Sequence, residues 1–145
     1  MEIKEYAGKY NEITGKLLES LLKTKKGENI VLSPMSVIML LGIAADAVDG
    51  KTRDEIVRVL CDGSSYEDCL DVLKEIRETS ASSGSLMSSN AICVKKSIVA
   101  SITDGYEERL KANYDGKLFS SNNIVRDVNA WVNEKTKGMI KEAVS

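Results

Sequence analysis

The chain has 145 residues, 43% of them apolar and 29% charged, with a formal net charge of −2 and a pI near 5.3. That is enough for one globular domain, and it supplies no basic field for nucleic acid or an anionic membrane surface, so neither is an expected partner. With no histidine in the chain the commonest general base and metal ligand is missing, and no catalytic residue, cofactor or metal site is expected; the chain does not read as an enzyme.

Met1-Glu2-Ile3-Lys4-Glu5 lacks the apolar core of an export signal. The compartment stays open between the cytoplasm and a secreted chain whose signal has been removed. Residues 3 to 23 place Ile3, Tyr6, Tyr10, Ile13, Leu17 and Leu21 at steps of three and four, with Leu18 and Leu22 widening the stripe. This predicts a long amphipathic helix, closed by the basic and glycine-bearing run from Lys23 to Gly27. Asn29 to Leu32 read as a short β run. Ser33-Pro34 then starts a helix, since serine caps orphan N–H groups and proline fits the first turn. From Val37 to Ala47 nearly every position is apolar or small, which predicts a central, buried helix from about Pro34 to Ala47. Eleven or so such residues fall short of the roughly 20 a membrane span needs.

Asp49-Gly50 ends that helix, and Thr52-x-x-Glu55 opens the next as a capping box with Ile56, Val59 and Leu60 on its apolar side. Gly63-Ser64-Ser65 starts a fourth helix, with Ser64-x-x-Glu67 and Ser65-x-x-Asp68 as alternative boxes and Tyr66, Cys69, Leu70, Leu73 and Ile76 facing inward. Thr79 to Ser85 has a loop's composition, and Leu86 to Val94 reads as a strand. Tyr106 and Leu110, with Ile102 at the margin, mark a helix ending near Asn113; Lys117-Leu118-Phe119 is a short strand. The last helix runs from about Ile124 to Thr136 with Ile124, Val128, Trp131 and Val132 inward, and Asn129 is placed to bond back to a neighbouring loop. Cys61, Cys69 and Cys93 match no zinc spacing and have no histidine to activate them. They read as free, buried or half-buried thiols.

Three blocks of this sequence resemble the serpins, the protease inhibitors of large conformational change. They are Asn29 with Ser33-Pro34-x-Ser36, Gly50-x-Thr52-x-x-Glu55-Ile56 and Leu60; Asn129-x-Trp131-Val132-x-x-x-Thr136-x-Gly138-x-Ile140; and, more weakly, Asn90-Ala91. They follow the family's order at about its spacing and span essentially the whole chain. The resemblance implies an α+β fold, mostly helical, with about six helices and two strands of an incomplete sheet A. It covers the family's fold from helix A to helix F, an N-terminal portion of a single serpin domain, with the reactive-centre loop absent from the chain.

What the resemblance implies for function follows from that mechanism. A protease cleaves the reactive-centre loop, and the loop inserts into sheet A as a new strand, a switch between two packings of one chain. Asn29, Ser33, Pro34 and Ser36 correspond to the shutter beneath the sheet, and Asn129, Trp131, Thr136 and Gly138 to the helix F motif. For Ser33 two readings stand, a plain helix cap and a switching hydroxyl. The full-length parent is expected to meet a serine or cysteine protease, whereas the fragment is expected to be inactive. Alternatives are a non-inhibitory carrier or storage serpin and a stand-alone helical interaction module. Some members bind heparin on the fourth helix; here Glu67, Asp68, Asp71, Glu75 and Glu78 face only Lys74 and Arg77, so no heparin binding is expected. An incomplete sheet leaves a free strand edge, so the fragment is expected to self-associate.

Overall fold

The computed structural model describes residues 3–61, 63–82, 84, 88–102 and 104–145; the side chains of Ile3 and Glu5 lie outside that set. In chain order the elements are α1 (Ile3–Thr24), α2 (Pro34–Ala47), α3 (Gly50–Cys61), α4 (Tyr66–Ser82), β1 (Asn90–Lys95), a 3-10 helix (Lys96–Ser101), α5 (Tyr106–Tyr114), β2 (Gly116–Ser121) and α6 (Ile124–Lys135). Contacts group them into two units, Met1–Ser83 and Gly84–Ser145.

The first unit is built on α2. Ser33 caps it in an extended conformation and Pro34 opens its first turn, so its start is set by purely local chemistry. Ile38, Met39, Gly42, Ile43 and Ala45 are buried, more positions than any other helix buries. Helices α1 and α3 pack on α2, and α4 packs on α1 and α3. Around these residues close Tyr6 and Ile13 of α1, Leu60 and Cys61 of α3, and Cys69, Val72 and Leu73 of α4. The Tyr66 hydroxyl lies 3.1 Å from the Gly42 carbonyl and 3.0 Å from the Asp46 carboxylate, tying the start of α4 to α2. The Arg53 guanidinium sits 4.9 Å over the Tyr66 ring, within cation–π reach.

Several expectations are corrected here. Helix α2 is not covered all round: Ser36, Leu40 and Ala47 are exposed, Leu40 by 58%. Apart from Ser36 that stripe is apolar. Leu18 and Leu22 do not widen the buried face of α1 but are exposed. Thr52 is not an N-cap, because α3 already begins at Gly50; a residue with helical backbone cannot offer the extended geometry that capping needs. Gly50 has φ +62, a left-handed conformation glycine adopts without a Cβ penalty, and this reverses the chain two residues earlier than the capping box would. Residues 29–32 form no strand. A strand exists only through its ladder, and no described segment pairs with this one; Val31 is 99% exposed.

At α4 the second of the two alternative capping boxes forms. The Ser65 hydroxyl accepts from the Asp68 N–H at 3.0 Å, and the bond back to Ser65 holds the Asp68 carboxyl below its ordinary range. The helix also runs on through residues 79–82, which the composition had assigned to a loop. Serine and threonine tolerate a last turn when their hydroxyls find backbone acceptors, as Ser82 does on the Thr79 carbonyl at 2.8 Å.

The second unit is a two-stranded parallel sheet. Asn90 pairs with Gly116 and the register continues to Lys95 with Ser121. A parallel pair needs a crossover, supplied here by the 3-10 helix and α5. Of the longer strand expected from Leu86, residues 86 and 87 lie outside the described residues, and the ladder begins at Asn90. The 3-10 helix had no signal in the sequence, and Ile102 follows it rather than joining α5, which starts at Tyr106 after Gly105 in the left-handed region, φ +74. Tyr106, Leu110 and Tyr114 of α5 are buried. The Asn90 amide donates to the Tyr114 carbonyl at 2.9 Å, joining the start of β1 to the end of α5. Helix α6 packs on both strands, yet it buries no residue fully: Ile124, Val128, Trp131 and Val132 are half-buried.

Candidate functional site

Ser33 and Ser36 come together at the head of α2. Their hydroxyl oxygens are 2.8 Å apart, and the Ser33 oxygen accepts from the Ser36 N–H at 3.4 Å. Both residues are exposed. Pro34 lies between them at the first helical position. Asn29 is exposed and makes no hydrogen bond to either serine among the described residues. Ser33, Pro34 and Ser36 therefore form a capped helix start with a hydroxyl pair at its tip, and Asn29 is not joined to it among the described residues.

The second group is in the other unit and organises the return of the chain along α6. The Asn129 side-chain oxygen accepts from the N–H groups of Ala143 at 2.8 Å and Val144 at 3.1 Å, and its amide donates to the Val144 carbonyl at 2.8 Å. One asparagine thus mimics a strand's backbone to residues 143–144. Thr136 donates to the Val132 carbonyl at 2.8 Å and accepts from the Ile140 N–H at 3.0 Å. Gly138, at φ +83, sends its N–H to the Asn133 carbonyl at 2.8 Å, the left-handed helix ending that glycine permits. Trp131 packs against Phe119 of β2 with ring centroids 6.4 Å apart and planes tilted by 33°. Its indole N–H is buried with no acceptor among the described residues, an uncommon state for a buried donor.

The hydroxyl of Ser121 at the end of β2 is buried, donates to Asp127 at 2.6 Å and accepts from the Asn123 N–H at 2.7 Å. Arg126 first and Ser121 second hold the Asp127 carboxyl below its ordinary range, so it stays ionised where an acidic group suits the first turn of a helix. This is structural chemistry.

One constellation had no signal in the sequence. Cys61 ends α3 and Cys69 lies in the first turn of α4, eight residues on, and the fold brings the two buried thiols near enough for each to shift the other's ionisation. Their proximity lowers the Cys61 thiol and raises that of Cys69. The Tyr6 hydroxyl beside them is buried with no partner among the described residues and pushed up by burial. Cys93 is a half-buried thiol, raised by burial. Neither periodicity nor motif spacing links Cys61 to Cys69, because the meeting depends on the turn between two helices. Among the described residues no three metal-ligating side chains gather.

The family model described as Serpin (serine protease inhibitor) matches residues 9–145. Serpin-Z3 of Arabidopsis thaliana is 28% identical over 100% of this chain and 39% of that protein. Among solved structures, the native stressed conformation of Arabidopsis AtSerpin1 superposes with a TM-score of 0.84 at 23% identity, over 100% of this chain and 39% of the other. Native protease nexin-1 with heparin gives 0.75 at 24% identity, over 88% and 36%. The chain thus spans about 39% of the length of the curated relative it matches along its whole length.

Proposed function

This chain belongs to the serpin family, and from that premise we propose that it is the N-terminal portion of one serpin domain whose full-length parent inhibits a serine or cysteine protease by inserting its reactive-centre loop. The observation that carries the reading is the family match along residues 9–145. The exposed Ser33–Ser36 hydroxyl pair supports it, because a hydroxyl pair at the head of the most buried helix suits a place where strands part and rejoin. Asn129, Trp131, Thr136 and Gly138 serve in this reading to hold helix α6 and its return segment as one rigid piece against the sheet.

The 145 residues themselves act as scaffold rather than bait. Incubated with trypsin, chymotrypsin or subtilisin, the chain is expected to give no covalent complex on a denaturing gel, whereas the full-length parent is expected to give one with at least one serine or cysteine protease. A stable acyl-enzyme band from the 145-residue chain would overturn this. Heparin is not part of the reading. On α4, Glu67, Asp71, Glu75 and Glu78 are exposed beside Lys74, while the Arg77 side chain is only 14% exposed, so the outer face repels a polysulfated chain.

Self-association completes the proposal. The sheet has two strands, so each keeps an outer edge with no described ladder partner, and unpaired edges template pairing with another chain. Ile92→Lys is expected to shift the chain towards monomer in light scattering, since a charge on an edge strand opposes pairing. A wild-type chain that stays monomeric at high concentration, with slow amide exchange along residues 90–95, would remove this part.

A further inference from the structure

Cys61 and Cys69 are 2% and 1% exposed, so residues of this chain alone cover them. Cys61 is the last residue of α3 and Cys69 lies in the first turn of α4, and those two helices pack together. The short connection between them is held at both ends. Gly63 turns it in the left-handed region, φ +93, the Ser64 N–H donates to the Cys61 carbonyl at 2.9 Å, and the Cys69 N–H donates to the Ser65 carbonyl at 3.2 Å. Both cysteine backbones are thus anchored to the same two consecutive residues. Their thiols lie near enough for each to shift the other's ionisation. The fold has already met most of the entropic cost of bringing the two sulfurs together, the term that otherwise opposes closing a loop.

We propose that Cys61 and Cys69 form a reversible modification site, a dithiol that a low-molecular-weight disulfide such as oxidised glutathione converts into an intramolecular disulfide. Both sit at helix ends, the parts of a helix that open at least cost, and that opening admits the small disulfide. Cys61 attacks first, because the thiolate is the nucleophile and its thiol is the one lowered, by Cys69 first and by Lys9 as well, against the effect of burial. Its sulfur bonds to one sulfur of the small disulfide and releases the other as a thiolate, which takes up the Cys61 proton. Cys69 then gives up its proton and attacks the Cys61 sulfur, closing the protein disulfide and expelling the second small thiol. Two protein thiols lose two electrons, and one small disulfide gains them.

The test equilibrates the 145-residue chain with mixtures of reduced and oxidised glutathione, blocks the remaining thiols with N-ethylmaleimide and maps tryptic peptides by mass. Residues 59–74 contain both cysteines and no Lys or Arg before Lys74, so they leave as one peptide, and closure is read as the loss of two hydrogens. The expected result is closure that dithiothreitol reverses, with helical circular dichroism retained and an equilibrium constant about tenfold or more above that in concentrated urea, because a bond suited to the native packing is favoured by it. Cys93→Ser, a change in the other unit, is expected to leave closure intact, whereas Cys69→Ser is expected to stop at a glutathione adduct on Cys61. Adducts without closure in the unsubstituted chain, closure no more favourable in buffer than in urea, loss of helix on closure, or dependence on Cys93 would each overturn the assignment.

Discussion

Ile43→Ala is expected to cost the chain about 2–5 kcal/mol of stability, the usual loss for emptying a buried aliphatic site. Ile43 is 2% exposed at the middle of α2, the helix on which α1 and α3 both pack. Removing its side chain leaves a cavity where rigid helices converge, and they relax only in part. Against a typical domain stability of about 5–15 kcal/mol, such a loss brings unfolding near to ambient conditions. The control is on the same helix: Leu40→Ala, three residues earlier and 58% exposed, is expected to stay within about 0.5 kcal/mol. Urea titrations followed by far-ultraviolet circular dichroism separate the two. Equal midpoints would mean that α2 is not the centre of the unit.

The second large effect is expected at Gly116, where the second unit leaves no room for a side chain. A Cβ there would lie 2.7 and 2.8 Å from the Cδ1 and Cγ atoms of Leu110 and 3.2 Å from the Leu110 carbonyl. Leu110 is fully buried, so it has nowhere to move. The backbone of Gly116 is not in the left-handed region, and the constraint is one of space alone. It arises because Asp115, at φ 49, turns the chain straight from α5 into β2, laying the strand's first residue against the last turns of the helix. Gly116→Ala is expected to cost about 1–3 kcal/mol through overpacking. It should also open the first rung of the ladder, where Asn90 pairs with Gly116 and holds the Tyr114 carbonyl. Hydrogen exchange at residues 90–95 should rise, with that of α2 unchanged. A double variant with Leu110→Ala distinguishes a clash from a general loss, since contacting substitutions couple. If the second change relieves none of the first, the steric account fails.

The features readable beforehand share one property, namely that a few consecutive residues decide them. Ser33-Pro34 and an apolar run define α2 from Pro34 to Ala47, Ser65 with Asp68 opens α4, and the steps of three and four lay out α1 and α6. The three serpin-like blocks are equally local, and with them the family, the mostly helical α+β class and the two strands could be expected. The candidate site was half legible. Ser33 and Ser36 are three apart on a helix start, so their meeting is built into the spacing, and the bonds of Asn129 follow from a helix whose chain folds back.

What the sequence left undetermined depends on partners distant along the chain, and only the tertiary structure decided it. Residues 29–32 have strand composition but no ladder, and composition cannot supply one. Thr52 has the letters of a cap, yet a left-handed Gly50 starts the helix first. Leu40 is as apolar as Ile43, and which of the two is buried depends on where α1 and α3 lie. The nearness of Cys61 to Cys69 and the want of space at Gly116 belong to no single element. Each arises from the packing of one helix or strand against another, and sequence spacing carries no record of that packing.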